Sequence, residues 1–139
     1  MVEITVEYQG TLRCQAVHQP SGREITTDAP VDNHGKGESF SPTDLLATAL
    51  ASCVSTIMGI YADRHEDLNL NGLKIKIEKH MSTESPRRIA KLPMKINFPG
   101  GISDKHRSAL EEIVQHCPVH RSLDPNIQTP VVFFYADQN

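Results

Sequence analysis

Residues 45–62 contain no charged side chain, and this run constrains the fold more than any other feature of the chain. It follows a helix-start pattern in which Ser41 suits the N-cap, Pro42 the first helical position and Asp44 the third. Charge returns at Asp63, where we expect the helix to end. A helix without a polar face must lie at the centre of a fold or in an interface. The run just reaches the length of a membrane span, but it is rich in Ala, Ser and Thr, so we expect a buried helix of a soluble protein.

The chain length and composition predict one globular domain. At 139 residues, the chain is expected to form a single domain over residues 1–139 with its own apolar core. Apolar residues make up 38% and charged residues 22%, which is typical of a globular protein and too apolar for a disordered one. The net charge of −3 gives no electrostatic surface for nucleic acid, and no basic run suits a membrane surface. Residues 1–7 alternate like a strand and do not resemble a signal peptide, so we expect a cytoplasmic protein without nucleic-acid or membrane partners.

Alternating apolar positions predict the strands. Residues 2–8 have the pattern of a half-buried strand, a turn at Gly10 leads to a second strand, and residues 23–27 form a short third strand. We expect these strands to form an antiparallel meander. After the central helix, alternation predicts strands over residues 73–78 and 89–98.

The remaining elements complete an α+β domain. Pro93 cannot donate a backbone hydrogen bond, so its strand is expected at a sheet edge. A second helix is expected to begin at Ser103-Asp104 and to stop at or before Cys117, because Pro118 follows. A final strand over residues 131–135 gives the order βββ-α-ββ-α-β with antiparallel sheets.

The odd number of cysteines, three, argues against a disulfide framework and for reduced thiols. Cys53 lies about three turns into the central helix, too far for the helix dipole to activate it, and apolar burial makes a thiol unreactive. Cys53 is therefore either inert packing or a reactive thiol that takes its cation from elsewhere in the fold. Cys14 shares a strand face with Leu12 and Ala16 and is expected in the core.

Cys117 has a different environment. It precedes Pro118 and can cap a short helix that starts there, next to unpaired backbone N–H groups. His116, His120 and Arg121 are close in sequence, and each of these features favours the thiolate. The alternative is a small buried residue at the end of an apolar helix face. Cys117 and His120 also have a C-x-x-H spacing, but no second ligand pair matches it, so no metal is expected.

Two motifs and their order resemble the OsmC/Ohr family, the osmotically inducible protein C and organic hydroperoxide resistance proteins. The order of strands and helices around the motifs also fits, so the resemblance extends over essentially the whole chain. The residues that carry it are Ser41-Pro42, Leu45 and Ala51-Ser52-Cys53 in the uncharged helix, and Cys117-Pro118 at the end of the second helix.

The resemblance implies a fold and an activity. The fold is OsmC-like, an intertwined homodimer with a long buried central helix from each subunit and active sites at the interface. The activity is that of a thiol-dependent peroxidase that reduces organic hydroperoxides without a cofactor. Cys53 is then the peroxidatic thiolate that becomes a sulfenic acid, and Cys117 is the resolving thiol that forms a Cys53–Cys117 disulfide. A dithiol reductant, of the lipoyl type in one branch, restores both thiols.

The family also uses an arginine from the N-terminal hairpin to hold the first thiolate. Arg13 is the nearest match and Arg23 the second choice, while an exposed strand charge is the alternative interpretation of Arg13. In the hydroperoxide branch a glutamate follows the helix-start proline and orients that arginine, but this chain has Thr43 there. Asp44 is the candidate for the glutamate's role, because a related branch carries its acidic residue at that position.

Two functions therefore stay open. One is the organic hydroperoxide peroxidase, and the other is an OsmC-like redox-sensing or small-molecule-binding dimer without peroxidase turnover.

Overall fold

The structure is a computed structural model that describes residues 1–136. The chain divides into two compact units, Met1–Leu46 and a second unit that begins at Ala47. Strands and helices alternate in the order expected of an α+β protein, with a long helix after the first three strands. That the whole chain forms one domain stays a prediction.

The first unit contains the predicted antiparallel meander. Its strands are β1 (Ile4–Gly10), β2 (Arg13–His18) and β3 (Arg23–Asp28), in the order β1-β2-β3. The β1–β2 turn has positive φ angles at Gly10, Thr11 and Leu12, of 84°, 52° and 64°, so glycine suits its first position.

The burial predicted for this meander is wrong for a single chain. Three apolar residues of β1 are 59–63% exposed, namely Ile4, Val6 and Tyr8. Cys14 is only partly buried, and so its predicted place in the core is also wrong. Alternation in sequence indicates which face of a strand is apolar, but it does not indicate what covers that face.

The central helix, α1, spans Pro42–Asp63, as predicted. Its first turn is a capping box, in which the Asp44 N–H donates to Ser41 Oγ at 3.1 Å and the Ser41 N–H donates to Asp44 Oδ2 at 2.9 Å. Because Ser41 is almost fully buried, this pair satisfies helix-end donors that water does not reach.

Only one face of α1 is covered in a single chain. Leu46 and Ile60 on other faces are 38% and 44% exposed. By length and composition α1 could cross a membrane, a test that core helices of soluble proteins also pass. The buried side chains recur at intervals of three and four residues and are Ala47, Leu50, Val54, Met58 and Ala62.

The second unit contains a mixed sheet, and the prediction of purely antiparallel sheets is wrong there. Its strands are β4 (Lys74–Ile77), β7 (Met94–Phe98) and β8 (Val131–Tyr135), in the order β4-β7-β8. β4 and β7 are antiparallel, whereas β7 and β8 are parallel. The long connection between β7 and β8 contains helices, and it allows the chain to return in the same direction.

Pro93 interrupts the strand predicted over residues 89–98. The segment forms β6 (Ile89–Lys91), which pairs with β5 (His80–Met81), and then β7. The prediction that this strand lies at a sheet edge is wrong, because β7 is the central strand of its sheet. Pro93 lies just before β7, where the missing N–H of proline removes no hydrogen bond between strands. The Pro93 carbonyl still accepts a hydrogen bond from the Glu78 N–H at 3.0 Å.

Two helices follow β7. Helix α2 spans Asp104–Ile113, and α3 spans Pro118–Ser122. The second helix therefore ends four residues before Cys117, and a separate short helix, as the Cys117-Pro118 pair predicted, begins at Pro118. The core of the second unit combines the buried face of α1 with side chains from the sheet and α2, among them Leu92, Met94, Ile96, Phe98 and Leu110.

A buried histidine joins α1 to α2. His106 is 1% exposed, and its Nε2 lies 2.9 Å from Asp67 Oδ2 while its Nδ1 lies 2.8 Å from the Tyr61 hydroxyl. His65 packs edge-on against the His106 ring, with centroids 4.9 Å apart. Both ring nitrogens of this buried group are therefore satisfied.

The His106–Asp67 hydrogen bond predicts a pH-dependent stability. The bond from His106 lowers the pKa of Asp67, so ionised Asp67 stabilises the fold above its unfolded pKa of about 4, and this contribution is lost as the pH falls through the lower folded pKa. We expect Asp67→Asn to lower the urea midpoint at neutral pH, and the difference from wild type to vanish in acid. Glu66→Gln, at the adjacent exposed acid, is the matched control and should change the midpoint little. A deficit of Asp67→Asn that is constant from neutral to acidic pH would contradict the role of the ionised carboxylate.

Candidate active site

Cys117 is the N-cap of α3, as predicted. Its Sγ accepts a hydrogen bond from the His120 N–H at 3.2 Å, and Pro118 occupies the first helical position. The Cys117 side chain is fully buried in the apolar core. The position therefore combines a polar backbone contact with an apolar enclosure.

The apolar enclosure dominates the electrostatics of Cys117. Burial raises the pKa of the Cys117 thiol, and the hydrogen bond from the His120 backbone only partly opposes this effect. The expectation that this position favours the thiolate is therefore wrong for the isolated chain. The side chains of the two nearby histidines have other partners, since His120 Nε2 lies 3.1 Å from Thr129 Oγ1 and His116 Nε2 lies 3.9 Å from Glu112 Oε1.

Cys53 and Cys117 are brought together. Cys53 is partly buried on α1 and packs against the core that contains Cys117. The neighbouring Cys53 thiol further raises the pKa of Cys117. Two cysteines far apart in sequence are thus neighbours in the fold, and the more accessible of the two is Cys53.

Arg13 lies in a cluster of charged residues within the first unit. Its guanidinium forms ion pairs with Glu38 and, at 3.5 Å, with Asp28. Glu38, followed by Asp28, raises the pKa of Arg13, so the guanidinium is always charged. Arg23 lies at the other end of the β2–β3 pair, where it is opposite His18.

Asp28 and Glu38 are the residues that sequence reasoning missed. Asp28 is 1% exposed, and its Oδ2 accepts from the Glu38 N–H at 3.0 Å. Its Oδ1 has no hydrogen-bond partner in the described structure. The strand register aligns Arg13 directly with Asp28, and so a correct pairing of the two predicted strands would have found Asp28. No sequence signal points to Glu38, because it lies in the loop before α1.

Asp44, the other candidate, lies in the capping box at the start of α1. The structure therefore groups Arg13 with Asp28 and Glu38, and separately groups Cys53 with Cys117. Among residues 1–136, no three His, Cys, Asp or Glu side chains are arranged to hold a metal ion.

Comparison with known proteins identifies the family. The profile of the OsmC-like protein family matches residues 35–131, which is more than half of the chain. The chain therefore belongs to the OsmC-like protein family, as the two cysteine motifs indicated. No match is found among curated proteins.

Solved structures show the same fold. A protein of Psychrobacter arcticus 273-4, provisionally named an osmotic stress induced and detoxification response protein, is 44% identical, with 96% of each chain covered and a TM-score of 0.89. An organic hydroperoxide resistance protein OsmC from Legionella pneumophila is 13% identical, with 96% of each chain covered and a TM-score of 0.77. An organic hydroperoxide resistance protein from Elizabethkingia anophelis is also 13% identical, covering 97% of this chain and 96% of that chain with a TM-score of 0.77. The last two likenesses show the fold alone.

The difference in burial predicts which thiol reacts first. In the Cys14→Ser background, we expect iodoacetamide at neutral pH to modify Cys53 at least tenfold faster than Cys117, because Cys117 is fully buried and its pKa is raised. Peptide mass spectrometry over a time course measures both rates. In urea the two rates should become similar. Equal rates in the folded protein would contradict the assignment of the accessible thiol.

Proposed function

We propose that this chain is a thiol-dependent peroxidase that reduces organic hydroperoxides to alcohols. The observation that supports the proposal most is that Cys53, which is partly accessible, packs against the core in which Cys117 is buried. The proposal is also supported by membership of the OsmC-like family. Proteins of this fold include ones named organic hydroperoxide resistance proteins.

The chemistry requires only the two thiols and an external dithiol. The Cys53 thiolate attacks the terminal oxygen of the hydroperoxide, the O–O bond breaks, and the alkoxide takes a proton and leaves as the alcohol. Cys53 is then a sulfenic acid. The Cys117 thiol attacks the Cys53 sulfur, and the hydroxyl takes the thiol proton and leaves as water. A dithiol of the lipoyl type restores both thiols by two exchange steps and becomes a disulfide itself.

The different surroundings of the two sulfurs support their separate roles. Because burial raises the pKa of Cys117, this thiol resists ionisation and is a poor nucleophile at neutral pH. Cys53 is the more accessible of the two thiols, so a peroxide reaches it first. Cys53 therefore attacks the peroxide, and Cys117 reacts only after Cys53 becomes a sulfenic acid.

Arg13 is the cation that we propose for Cys53, on the basis of the family resemblance. In this chain, Asp28 and Glu38 hold the guanidinium, and we propose that they take over the role of the glutamate missing at Thr43. Asp44, whose carboxylate accepts a hydrogen bond from Ser41, contributes by setting the start of α1. These acidic residues are positioning residues rather than reacting groups.

We further propose a cytoplasmic homodimer. The apolar side chains left exposed on β1 and α1, Ile4, Val6, Tyr8, Leu46 and Ile60, give a second copy of the chain a large apolar area to cover. A reducing compartment keeps both thiols available for turnover.

The alternative is a redox-sensing or small-molecule-binding dimer without turnover. The observation that favours it is the complete burial of Cys117, whose raised pKa slows its attack on an oxidised Cys53. In a sensor, a long-lived Cys53 sulfenic acid would be the signal.

Turnover of cumene hydroperoxide with dihydrolipoamide distinguishes the two functions. We expect the wild type to consume peroxide over many cycles, Cys53→Ser to consume none, and Cys117→Ser to consume about one equivalent per chain, because a sulfenic acid forms but is not resolved. Cys14→Ser is the matched control and should turn over like the wild type. Mass spectrometry after peroxide treatment should find a Cys53–Cys117 disulfide. A wild type that consumes about one equivalent of peroxide and keeps Cys53 as a sulfenic acid without turning over would favour the sensor.

The proposed role of Arg13 predicts a slower peroxide step when its guanidinium is removed. We expect Arg13→Gln to slow the reaction of Cys53 with cumene hydroperoxide about tenfold at neutral pH, because the cation proposed for the attacking sulfur is lost. Stopped-flow measurement of the peroxide step gives the rate. Arg23→Gln removes a strand arginine from the same meander and should leave the rate unchanged. A slower step in Arg23→Gln without one in Arg13→Gln would reassign the cation to Arg23.

A further inference from the structure

The outer face of the β4-β7-β8 sheet has an unusual composition. Alternate side chains of β7 are buried in the core, so the residues between them point away from it. Three lysines lie on this outer face, Lys74 and Lys76 from β4 and Lys95 from β7. On β8, Val132 and Phe134 are 50% and 47% exposed. The face therefore combines positive charge with exposed apolar groups.

The lysines are placed in a way that is unfavourable by itself. The register of β4 and β7 puts Lys76 directly opposite Lys95. Two like charges at directly opposite positions of an antiparallel pair repel each other. In the described part of the chain, neither lysine has a carboxylate at ion-pair distance. An anion bound between the two ammonium groups would relieve the repulsion.

A pocket of about 280 Å³ adjoins the two lysines. The lining of the pocket is mostly apolar, and Glu78 is the one acidic residue in it. Glu78 Oε2 lies 3.6 Å from His80 Nε2. A ligand of this pocket must therefore place its apolar groups against the apolar lining residues and direct its negative charge toward the two lysines. The residues that line the pocket are Lys76, Glu78, Pro93, Met94, Lys95, Pro130 and Val132.

We propose that this pocket binds a free monocarboxylate with an apolar chain, with its carboxylate between Lys76 and Lys95 and its chain against Pro93, Pro130 and Val132. The two lysines require a ligand with a negative charge, and the apolar lining requires that one end of the ligand is a hydrocarbon chain. The pocket uses neither Cys53 nor Cys117, so this binding is independent of the proposed peroxidase activity. Two lysines at directly opposite positions of neighbouring strands suit a carboxylate, which accepts hydrogen bonds at both oxygens.

Titration of the reduced full-length protein with sodium octanoate tests the proposal. Methyl and amide NMR spectra should show saturable shifts at Val132 and at the backbone of β4 and β7. Octanol, which has the same chain without the charge, should give no comparable shifts at equal concentration, and acetate, which has the charge without the chain, should also fail. Binding should weaken at higher ionic strength, because the ion pairs lie at the surface.

Variants separate the pocket from non-specific binding. Lys76→Gln and Lys95→Gln should each raise the Kd for octanoate about three- to tenfold, and Val132→Ser should weaken binding by a similar factor. Lys36→Gln removes an exposed lysine from the first unit and is the matched control, which should bind octanoate like the wild type. Unchanged chemical shifts elsewhere in each variant confirm that the fold is intact.

Four outcomes would overturn the proposal. The first is the absence of saturable shifts at Val132 with octanoate. The second is equal binding of octanol and octanoate. The third is an equal loss of binding in Lys36→Gln and Lys76→Gln. The fourth is cosedimentation with anionic phospholipid vesicles that depends on Lys76 and Lys95 while free octanoate does not bind, since this would assign the face to a membrane surface.

Discussion

The apolar core of the second unit determines where the two thiols lie. Leu50, Val54 and Met58 on α1 share this core with side chains of the β4-β7-β8 sheet. Cys53 precedes Val54 on the helix, so the rotation of α1 that buries its apolar face also determines the direction of the Cys53 side chain. Cys117 is fully buried in the same core, and the proximity of the two cysteines is a consequence of this packing.

The same core makes the two thiols chemically unequal. A buried thiol in apolar surroundings resists ionisation, and this effect outweighs the backbone donor that α3 supplies to Cys117. A thiol that resists ionisation beside a more accessible thiol suits a pair in which one sulfur attacks the substrate first and the other reacts in a later step. In the function that we propose, a cation stabilises the negative charge of the attacking sulfur. The proposed cation, Arg13, is held by Asp28 and Glu38, and residue 43 is a threonine.

The outer face of the β4-β7-β8 sheet differs from the core in carrying charged side chains. Strand alternation that buries Met94 and Ile96 also directs Lys95 outward, and the antiparallel register then brings it opposite Lys76. The pair of lysines beside an apolar pocket is the site that we propose for an anion with a hydrocarbon chain. The alternation of apolar and polar residues along β7 therefore determines both the buried face and the outer face of this strand.

Local sequence signals predicted the features that depend on neighbouring residues. The capping box of Ser41 and Asp44, the limits of α1, the meander and the Cys117 N-cap all depend on residues within a few positions, and the structure contains each of them. The two cysteine motifs also indicated the family correctly. The sequence did not predict features that depend on distant residues, such as the parallel pairing of β7 with β8, the central place of β7 after Pro93 and the exposure of β1.

The division between sequence and tertiary structure has one physical reason. Capping, turns and the periodicity of apolar residues are interactions between residues close in the chain, so the sequence by itself determined where α1 and most strands begin and end. Burial, charge and thiol contact depend on which distant segments pack together. Only the tertiary structure therefore decided that the Cys117 thiol is buried with a raised pKa, that Cys53 packs against the same core, and that Asp28 and Glu38 form ion pairs with Arg13.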